Sequence, residues 1–560
     1  MKQPNPSTAQ ARVIVDELHR HGVDYAVISP GSRSAALAIA FEEHPGVETR
    51  VVLDERSAAF HALGRSRVTQ TPVVALATSG TALANYLPSV VEADLSLVPL
   101  ILISADRPPD LLNVGANQTI DQAGIFGEKV RWSCGIPPAE PDRDSNGYWR
   151  SSVSQAVARA NGHGGRPGPV HVNVAFREPT VPVPDDGRTR AEPYRHPIEG
   201  RPGGEPWQQH RQERPAGAAL GLGGRGLVIV GEGDFDPKDV FEAAGRLGWP
   251  VLATATSGLR VFDVVTTYHH VLVAGVPTSL EPDLVVTVGR TGPSDRIGSL
   301  TSLPVPQVQV DRWGAWNDPR RHSSHLLQAD PAQTLDGFSP APDDRLLQSW
   351  LGADAALRSA LDDHLSADET PTGPAVARAL DPFDQATLIA ASSMPIRDVD
   401  AHVANTARVI ANRGASGIDG FVSTALGAAA ATRGTVAFAG DLSFLHDAAG
   451  LVADGHGDVV FVVVDNGGGG LFDLLPQAEH APAFERLFVA PHNLDLSRVA
   501  SAYNLGAAIV EDVADLGATI KNRLDAGGPH VVVVPVDREA DLKTRRGLDD
   551  TSRVVCATFN

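Results

Sequence analysis

The sequence contains very little cysteine and few aromatic residues. Only two of its 560 residues are cysteines, Cys134 and Cys556, and aromatic residues make up 5% of the chain. The two cysteines form neither a CxxC pair nor a metal-ligand spacing, which disfavours both a disulfide framework and a zinc site. We therefore expect a protein of the reducing cytoplasm.

Positive charge and long apolar runs are also scarce. Lys and Arg total 47 against 67 Asp and Glu, giving a formal net charge of −20. A field of this sign repels nucleic acid and anionic membrane surfaces, so neither is an expected partner. The most apolar run, at 459–464, is too short to cross a bilayer, and the N-terminal residues lack an apolar signal core. We expect neither membrane insertion nor export by a standard signal.

The length and composition indicate several α/β domains. At roughly 150 residues per domain the chain has room for three or four, and its 54 glycines and 42 prolines are typical of loop-rich α/β proteins. Short apolar runs alternate with helical segments, which predicts parallel sheets covered by helices. The predicted boundaries are an N-terminal domain at 1–180, a linker at 181–225, a central domain at 226–345 and a C-terminal domain at 346–560.

The strands of these sheets are predicted from the apolar runs. They lie at 25–28, 51–53, 73–77 and 100–104 in the first domain, at 226–233, 250–255, 283–290 and 304–311 in the second, and within ATLIAAS, RVIANRG, TVAFAGD, DVVFVVVDN and PHVVVVPVD in the third.

Two polar residues follow neighbouring apolar runs of the third domain. Asp441 comes directly after TVAFAG, and Asn466 comes after VVFVVVD. Ligand sites of open parallel sheets lie outside the carboxyl ends of the strands, so these side chains are expected to meet there. A carboxylate, an amide oxygen, a backbone carbonyl and phosphate oxygens can together hold Mg²⁺. The alternative is that Asp441 is only a helix N-cap and the following glycines a turn.

Glu55 is a second candidate functional residue, one that could share a proton with a ligand. It follows the apolar run VVLD and precedes the small-residue helix SAAFHALG. Partial burial of a carboxylate there raises its pKa and favours sharing a proton with a ligand. The alternative is a helix cap or a partner of the helix dipole.

These segments together resemble the thiamine-diphosphate-dependent decarboxylase superfamily. Narrower motifs resemble the family of carboligases in menaquinone biosynthesis: SPGSR at 29–33, DER at 54–56, TSGTALANYLPSVVEA at 78–93, SADRPP at 104–109, GANQTIDQ at 115–122, NRGASGIDG at 412–420 and GDLSFLHD at 440–447. The resemblance implies pyrimidine-binding, central and diphosphate-binding α/β domains, each with a parallel sheet. It also implies thiamine diphosphate, Mg²⁺ or Mn²⁺ as its metal, and a homodimer or homotetramer with active sites between subunits.

The implied reaction removes CO2 from 2-oxoglutarate and adds the succinyl unit to isochorismate. Both substrates are dicarboxylates, and arginine suits them because its planar fork binds a carboxylate through two parallel hydrogen bonds. Two alternatives stay open: another 2-oxo acid decarboxylase or carboligase, such as an acetohydroxyacid synthase, and a non-catalytic relative or plain nucleotide-binding protein. The arginines disfavour the first, and the combination of Glu55 with Asp441 and Asn466 disfavours the second.

The resemblance also assigns site residues by their positions in the matching motifs. The cofactor contacts it implies are Glu55, Ile418, Asp441, Leu442, Ser443, Asn466 and Gly468, of which Asp441, Asn466 and Gly468 hold the metal. The catalytic residues it implies are Glu55, Gln118, Arg397 and Arg413, and the substrate-binding ones are Ser32, Arg33, Arg107, Asn117, Arg296, Ser393 and Phe472. Arg296 departs from the family pattern, because Asp295 precedes it where the family has a lysine. For any single arginine the alternative is a surface ion pair, and for Ile418 it is a place in the core.

Overall fold

The structure is a computed structural model that describes residues 5–139, 145–182, 198–211, 215–292, 294–367, 370–453, 455, 457–479 and 483–560. These residues contain three parallel β-sheets, in agreement with the predicted fold class. Within these ranges, every helix is too short or too polar to cross a membrane.

The first sheet has six parallel strands in the order β2-β1-β3-β4-β6-β5. The strands are β1 (Tyr25–Ile28), β2 (Glu48–Val51), β3 (Val73–Ala77), β4 (Leu100–Asp106), β5 (Ser133–Ile136) and β6 (Pro169–Ala175). The helices are α1 (Pro6–Arg20), α2 (Ala35–Glu43), α3 (Glu55–Thr69), α4 (Thr81–Ala84), α5 (Leu87–Ser96) and α6 (Ser145–Ala160).

The second sheet has five parallel strands in the order β11-β10-β9-β7-β8. The strands are β7 (Gly226–Val230), β8 (Val251–Ala253), β9 (Leu284–Val288), β10 (Gln307–Asp311) and β11 (His325–Gln328). The helices are α7 (Pro237–Leu247), α8 (Tyr268–Val271), α9 (Gly298–Thr301), α10 (Pro331–Leu335) and α11 (Arg345–Ser366).

The third sheet repeats the topology of the first, with the order β13-β12-β14-β15-β17-β16. The strands are β12 (Thr387–Ala390), β13 (Arg408–Ile410), β14 (Thr435–Gly440), β15 (Val459–Asp465), β16 (Gly506–Ile509) and β17 (Pro529–Pro535). The helices are α12 (Gly373–Arg378), α13 (Met394–His402), α14 (Phe421–Ala429), α15 (Asp441–His446), α16 (Leu496–Ala502), α17 (Leu516–Ala526) and α18 (Arg538–Cys556).

The central strands of the first sheet are buried on both faces. On β3, Val74 and Leu76 belong to one hydrophobic core, while Val73 and Ala75 belong to another on the opposite face. Successive side chains of a strand point to opposite faces, so an unbroken apolar run fills both cores. This burial explains why these runs carry no alternating polar residues.

The described residues form two compact units. The first lies within Met1–Gln212, Asn412–Thr432 and Phe444–Asp458. The second lies within Glu213–Ala411, Arg433–Ser443 and Val459–Asn560. The two C-terminal segments of the first unit fall inside the predicted third domain, and they pack against the N-terminal residues chiefly through α14 and α3. Glu55 and Arg413 therefore belong to the same unit of one chain.

The predicted linker at 181–225 is described only in part, because 183–197 and 212–214 lie outside the described residues. Within the described part, the Trp207 backbone N–H donates to the Glu17 carboxylate at 2.5 Å, and the Ile198 carbonyl accepts from Arg150 at 2.7 Å. This stretch of the linker therefore packs on the first unit. The predicted domain boundaries themselves stay predictions.

We predict that His171, a buried residue of β6, makes the protein less stable in acid. Burial lowers the pKa of His171 to about 4, because the charged ring would lose its hydration. The unfolded chain titrates near pH 6.5 and therefore binds more protons than the folded chain between these values. The contribution of this residue to the free energy of unfolding therefore falls by about 3 kcal/mol as the pH falls from about 6.5 to 4.

The measurement is the melting temperature of the parent and of His171→Gln between pH 5 and pH 8. Glutamine can keep a donor toward Ser104, whose hydroxyl lies 2.7 Å from His171 Nε2, but it cannot become charged. The variant should lose less of its melting temperature on acidification than the parent. An equal decrease in melting temperature for the two proteins would contradict the lowered pKa of His171.

Candidate active site

Two arginines lie at the carboxyl edge of the first sheet. Arg107 follows β4, and its guanidinium donates to Ser79 Oγ at 2.7 Å and to the Asn117 carbonyl at 3.0 Å. Arg33 lies in the loop after β1, 3.2 Å from the exposed carboxylate of Glu178. Among the described residues the Arg33 Nε–H is buried without a hydrogen-bond partner.

The two guanidinium groups influence each other. Burial, and then the positive charge of Arg33, lowers the pKa of Arg107 from its usual range. Like charges repel each other, and a bound anion would relieve that repulsion. The edge of the first sheet is therefore suited to a carboxylate ligand.

The loop that carries Asn117 and Gln118 is held against the end of β3. Gln118 has a left-handed backbone (φ 55°) and donates through Nε2 to the Ser79 carbonyl at 2.9 Å. Ser79 Oγ in turn donates to the Gln118 carbonyl at 3.0 Å. A Cβ at Gly31, next to Ser32, would overlap Thr78, so the loop after β1 also lies against the loop after β3. The structure thus brings Ser32 and Gln118 to one edge of the sheet.

Glu55 is the first residue of α3, but it is not the helix cap. Asp54 fills that role, accepting the Ser57 backbone N–H at 3.0 Å. The Glu55 carboxylate is half-buried and makes neither a hydrogen bond nor an ion pair within the described part of the chain. Burial of Tyr86, and then the negative charge of Glu55, raises the pKa of Tyr86 well above the usual range. The buried Tyr86 hydroxyl also has no hydrogen-bond partner among the described residues.

Tyr86 is a site candidate that sequence reasoning missed. It stands inside the motif TSGTALANYLPSVVEA, but the identity of a tyrosine in a helical segment does not by itself indicate a functional role.

Ile418, which the resemblance assigns to the cofactor, is half-buried and lies outside the hydrophobic cores described above. Its exposed portion leaves it available to touch a ligand.

In the second unit Asp441 begins α15 at the carboxyl end of β14. Asp441 is buried, with 2% of its surface exposed. Its Oδ1 accepts the Leu442 backbone N–H at 2.6 Å, and its Oδ2 accepts the Gly468 backbone N–H at 2.8 Å. Burial raises the pKa of Asp441, although a hydrogen bond from His492 opposes this. The loops after β14 and β15 therefore meet as the spacing of Asp441 and Asn466 predicts.

The residues at this edge fit a magnesium ion. Asn466 Oδ1 is buried and has no hydrogen-bond partner among the described residues. Asp441 Oδ1 keeps a lone pair beyond the one used by Leu442, and the Gly468 carbonyl accepts one N–H, from Gly470 at 3.0 Å. Oxygen ligands of this kind suit Mg²⁺ and Mn²⁺ rather than softer metals.

Gly468 must be glycine for a steric reason. Its φ is 146°, and a Cβ there would overlap the Val489 carbonyl oxygen. The loop can therefore pack against Val489 only without a side chain at this position.

His492 was not predicted from the sequence. Its Nε2 lies 3.2 Å from Asp441 Oδ2 and 3.8 Å from Asp465 Oδ1. The Leu494 backbone N–H donates to Nδ1 at 3.0 Å, so the neutral ring carries its proton on Nε2. In this state His492 donates a hydrogen bond to Asp441. No motif or spacing near residue 492 indicates this contact.

The other predicted residues of the second unit lie in helices or directly before one. Ser393 has a strained backbone (φ 79°, ψ −133°) just before α13, and its carbonyl accepts from the Arg397 guanidinium at 2.6 Å. Ser443 is buried in the first turn of α15, and Phe472 packs against Phe488 with ring centroids 5.6 Å apart.

Arg296 is engaged in a structural contact. Its guanidinium binds both carboxylate oxygens of Asp549 on α18, at 2.7 and 2.8 Å, and also donates to the His269 carbonyl at 3.0 Å. This partly buried pair is the ion-pair alternative that the sequence left open. Its predicted role in substrate binding stays a prediction.

Two family models of one enzyme class match this chain, one in its N-terminal part and one in its C-terminal part. The family model described as "Thiamine pyrophosphate enzyme, N-terminal TPP binding domain" matches residues 9–125. The model described as "Thiamine pyrophosphate enzyme, C-terminal TPP binding domain" matches residues 394–534. The first range contains Glu55 and Arg107, and the second contains Asp441 and Asn466, so fold and site define a thiamine-pyrophosphate enzyme.

Similar proteins narrow this class. A 2-succinyl-5-enolpyruvyl-6-hydroxy-3-cyclohexene-1-carboxylate synthase of Thermobifida fusca is 42% identical, with 98% of this chain and 99% of the relative aligned. Synthases of the same name from Rubrobacter xylanophilus (38% identical, 97% and 98% aligned) and Halobacterium salinarum (37% identical, 98% and 99% aligned) are also similar. The chain belongs to this family of synthases.

We predict that Asn466→Ala weakens metal binding without disturbing the fold. The substitution removes a buried oxygen that has no hydrogen-bond partner among the described residues, so the ligand-free melting temperature should stay close to that of the parent. Metal affinity should fall at least about tenfold, because an oxygen ligand is lost. Mn²⁺ titration followed by electron paramagnetic resonance, with thiamine diphosphate present, measures this affinity. The exposed Asn405→Ala is the matched control, and an unchanged affinity in Asn466→Ala would remove Asn466 from the metal site.

Proposed function

We propose that this chain is a transferase of menaquinone biosynthesis that uses thiamine diphosphate. In the proposed reaction 2-oxoglutarate loses CO2, and the remaining succinyl unit is added to isochorismate. The product is the compound for which the similar synthases are named. This proposal is supported by similarity over nearly the full length of both chains.

The observation that carries the substrate assignment is the presence of Arg33 and Arg107 at one edge of the first sheet. The chain has a net charge of −20, which repels dicarboxylates, yet at this edge burial and then the charge of Arg33 lower the pKa of Arg107. Such an arrangement is stabilised by a bound carboxylate. The second candidate, an acetohydroxyacid-synthase-like carboligase, acts on substrates with fewer carboxylates and has less need of these arginines.

Asp441, Asn466 and the Gly468 carbonyl are proposed as the ligands that would hold Mg²⁺ or Mn²⁺, which would offset the charge of the diphosphate. Bound thiamine diphosphate supplies a carbon nucleophile that attacks a 2-oxo acid and stabilises the electron pair left when CO2 departs. Leu442 and Ser443 are the proposed contacts beside the diphosphate, and Ile418 the proposed contact of the ring.

Glu55 is proposed to hold the proton that it shares with the pyrimidine ring nitrogen. Its carboxylate is suited to this role, because it is half-buried and Asp54 caps the helix in its place. Gln118, Arg397 and Arg413 are proposed to orient the reacting substrate, and Ser32, Asn117, Ser393 and Phe472 to line its pocket. We further propose a cytoplasmic homo-oligomer in which two copies complete each active site.

The experiment that tests this function is a spectrophotometric assay of isochorismate loss. The purified protein is mixed with thiamine diphosphate, Mg²⁺, isochorismate and 2-oxoglutarate. Isochorismate should disappear only when all components are present, with release of CO2. Activity with pyruvate in place of 2-oxoglutarate would instead favour the second candidate.

We predict that Glu55→Gln binds the cofactor but largely loses activity. The amide is nearly isosteric, and the carboxylate makes no hydrogen bond among the described residues, so the fold should be kept. The proton on the reactive carbon of thiamine diphosphate should exchange with solvent much more slowly, which nuclear magnetic resonance measures. The exposed Glu128→Gln is the control. Exchange as fast as in the parent would show that the assigned role is wrong.

We also predict that Arg413→Lys lowers catalytic efficiency roughly ten- to a hundredfold, because one hydrogen bond of a bidentate pair to a charged group is lost. The affinity for thiamine diphosphate should not change. Catalytic efficiency is measured by steady-state kinetics in which each substrate is varied in turn, and cofactor affinity is measured by titration. Parallel losses of cofactor binding and substrate use would show that Arg413 has a structural role instead.

A further inference from the structure

A buried carboxylate in the first unit accepts hydrogen bonds from the loop that carries Arg413. Glu92 lies on α5 and has 2% of its surface exposed. Its Oε1 accepts the Gly414 backbone N–H at 2.9 Å, and its Oε2 accepts the Ala415 backbone N–H at 2.7 Å. Successive N–H groups that converge on one anion form a nest, and here the anion is a side chain of the protein itself.

The Glu92 side chain is itself held in place. Ser96 Oγ, one turn further along α5, donates to Oε1 at 2.7 Å, and the buried Arg67 guanidinium lies 3.5 Å from the same oxygen. The charge of Glu92 is therefore compensated on the protein side by a cation and on the loop side by two backbone N–H groups. A buried carboxylate with this many partners has a fixed orientation.

The loop can reach Glu92 only because residue 414 is glycine. A Cβ at Gly414 would lie 2.7 Å from the Glu92 carbonyl oxygen and 2.7 Å from Ser96 Oγ. Arg413 immediately precedes this point of closest approach, so the backbone position of Arg413 is set by the contact of Gly414 with α5.

We propose that Glu92 is a positioning residue that holds the Arg413 guanidinium in place for a substrate carboxylate. The inference rests on the proposed function, because it takes Arg413 as a substrate contact. Bidentate recognition tolerates little displacement, so a shift of about 1 Å in the loop is enough to lose binding or rate. Glu92 is assigned no direct contact with substrate or cofactor.

The first test needs no substrate and no cofactor. In Glu92→Gln one carboxylate oxygen becomes an amide nitrogen, which cannot accept a backbone N–H. Hydrogen exchange of the Gly414 and Ala415 amides, followed by mass spectrometry on the full-length protein, should become roughly tenfold faster or more. Exchange at the parent rate would overturn the proposal.

The second test compares kinetics with a matched control. Asp94→Asn removes a second buried carboxylate from α5, one that binds Arg131 at 2.5 Å and does not touch the Arg413 loop. Glu92→Gln should raise the KM of the same substrate that Arg413→Lys affects, roughly tenfold, with the affinity for thiamine diphosphate unchanged. Asp94→Asn should leave that KM at the parent value even if it lowers the melting temperature.

Two further variants complete the design. Gly414→Ala should reproduce the KM change through steric displacement alone, and the double variant Glu92→Gln with Arg413→Lys should lose less than the two single losses combined. Faster amide exchange with an unchanged KM would overturn the positioning role, as would an equal KM change in Asp94→Asn. Failure of the proposed function is distinguishable from these results, because the parent protein itself would then not consume isochorismate.

Discussion

Helices α3 and α14 are in backbone contact, and the arrangement of the first unit depends on this. A Cβ at Gly64 would overlap the Thr424 carbonyl oxygen, and a Cβ at Gly427 would overlap the His61 carbonyl oxygen. Only glycine at both positions allows the two helices to approach so closely. Because Glu55 begins α3 and Ile418 stands shortly before α14, this contact brings a glutamate from the N-terminal part of the chain into one unit with a C-terminal loop.

Buried carboxylates then hold the loops around this helix pair. Asp447 accepts the Ser423 backbone N–H at the start of α14 at 2.7 Å and lies 3.3 Å from the Ser57 hydroxyl on α3. Burial raises the pKa of Asp447, since its charge is removed from water. Glu92 fixes the Arg413 loop in the same way. Much of the acidic charge is exposed, but these two carboxylates satisfy backbone donors that would otherwise be buried without partners.

Much of the fold was predictable from apolar runs, and most of the failures share a physical cause. β1 and β3 lie where their runs predict, because central strands are buried on both faces and read as continuous apolar segments. The strands β5, β6, β11 and β16 were not predicted. β5, β11 and β16 are edge strands with exposed residues, whereas β6 is an interior strand whose apolar run is interrupted by His171 and Asn173. β2, another edge strand, lies three residues before its predicted start. An edge strand buries too little surface to require an apolar sequence.

The candidate site, like the fold, was predictable from the sequence only in part. The sequence by itself determined that Asp441 and Asn466 would stand at neighbouring strand ends, because parallel strands place their carboxyl ends at one edge. Only the tertiary structure decided that Glu92 reaches the Arg413 loop and that His492 donates to Asp441. It also decided that burial, and then the charge of Glu55, raises the pKa of Tyr86. These interactions join residues that lie far apart in the chain, and their geometry depends on how closely the backbones pack. Local spacing carries no information about such distances, whereas the regular geometry of a parallel sheet does.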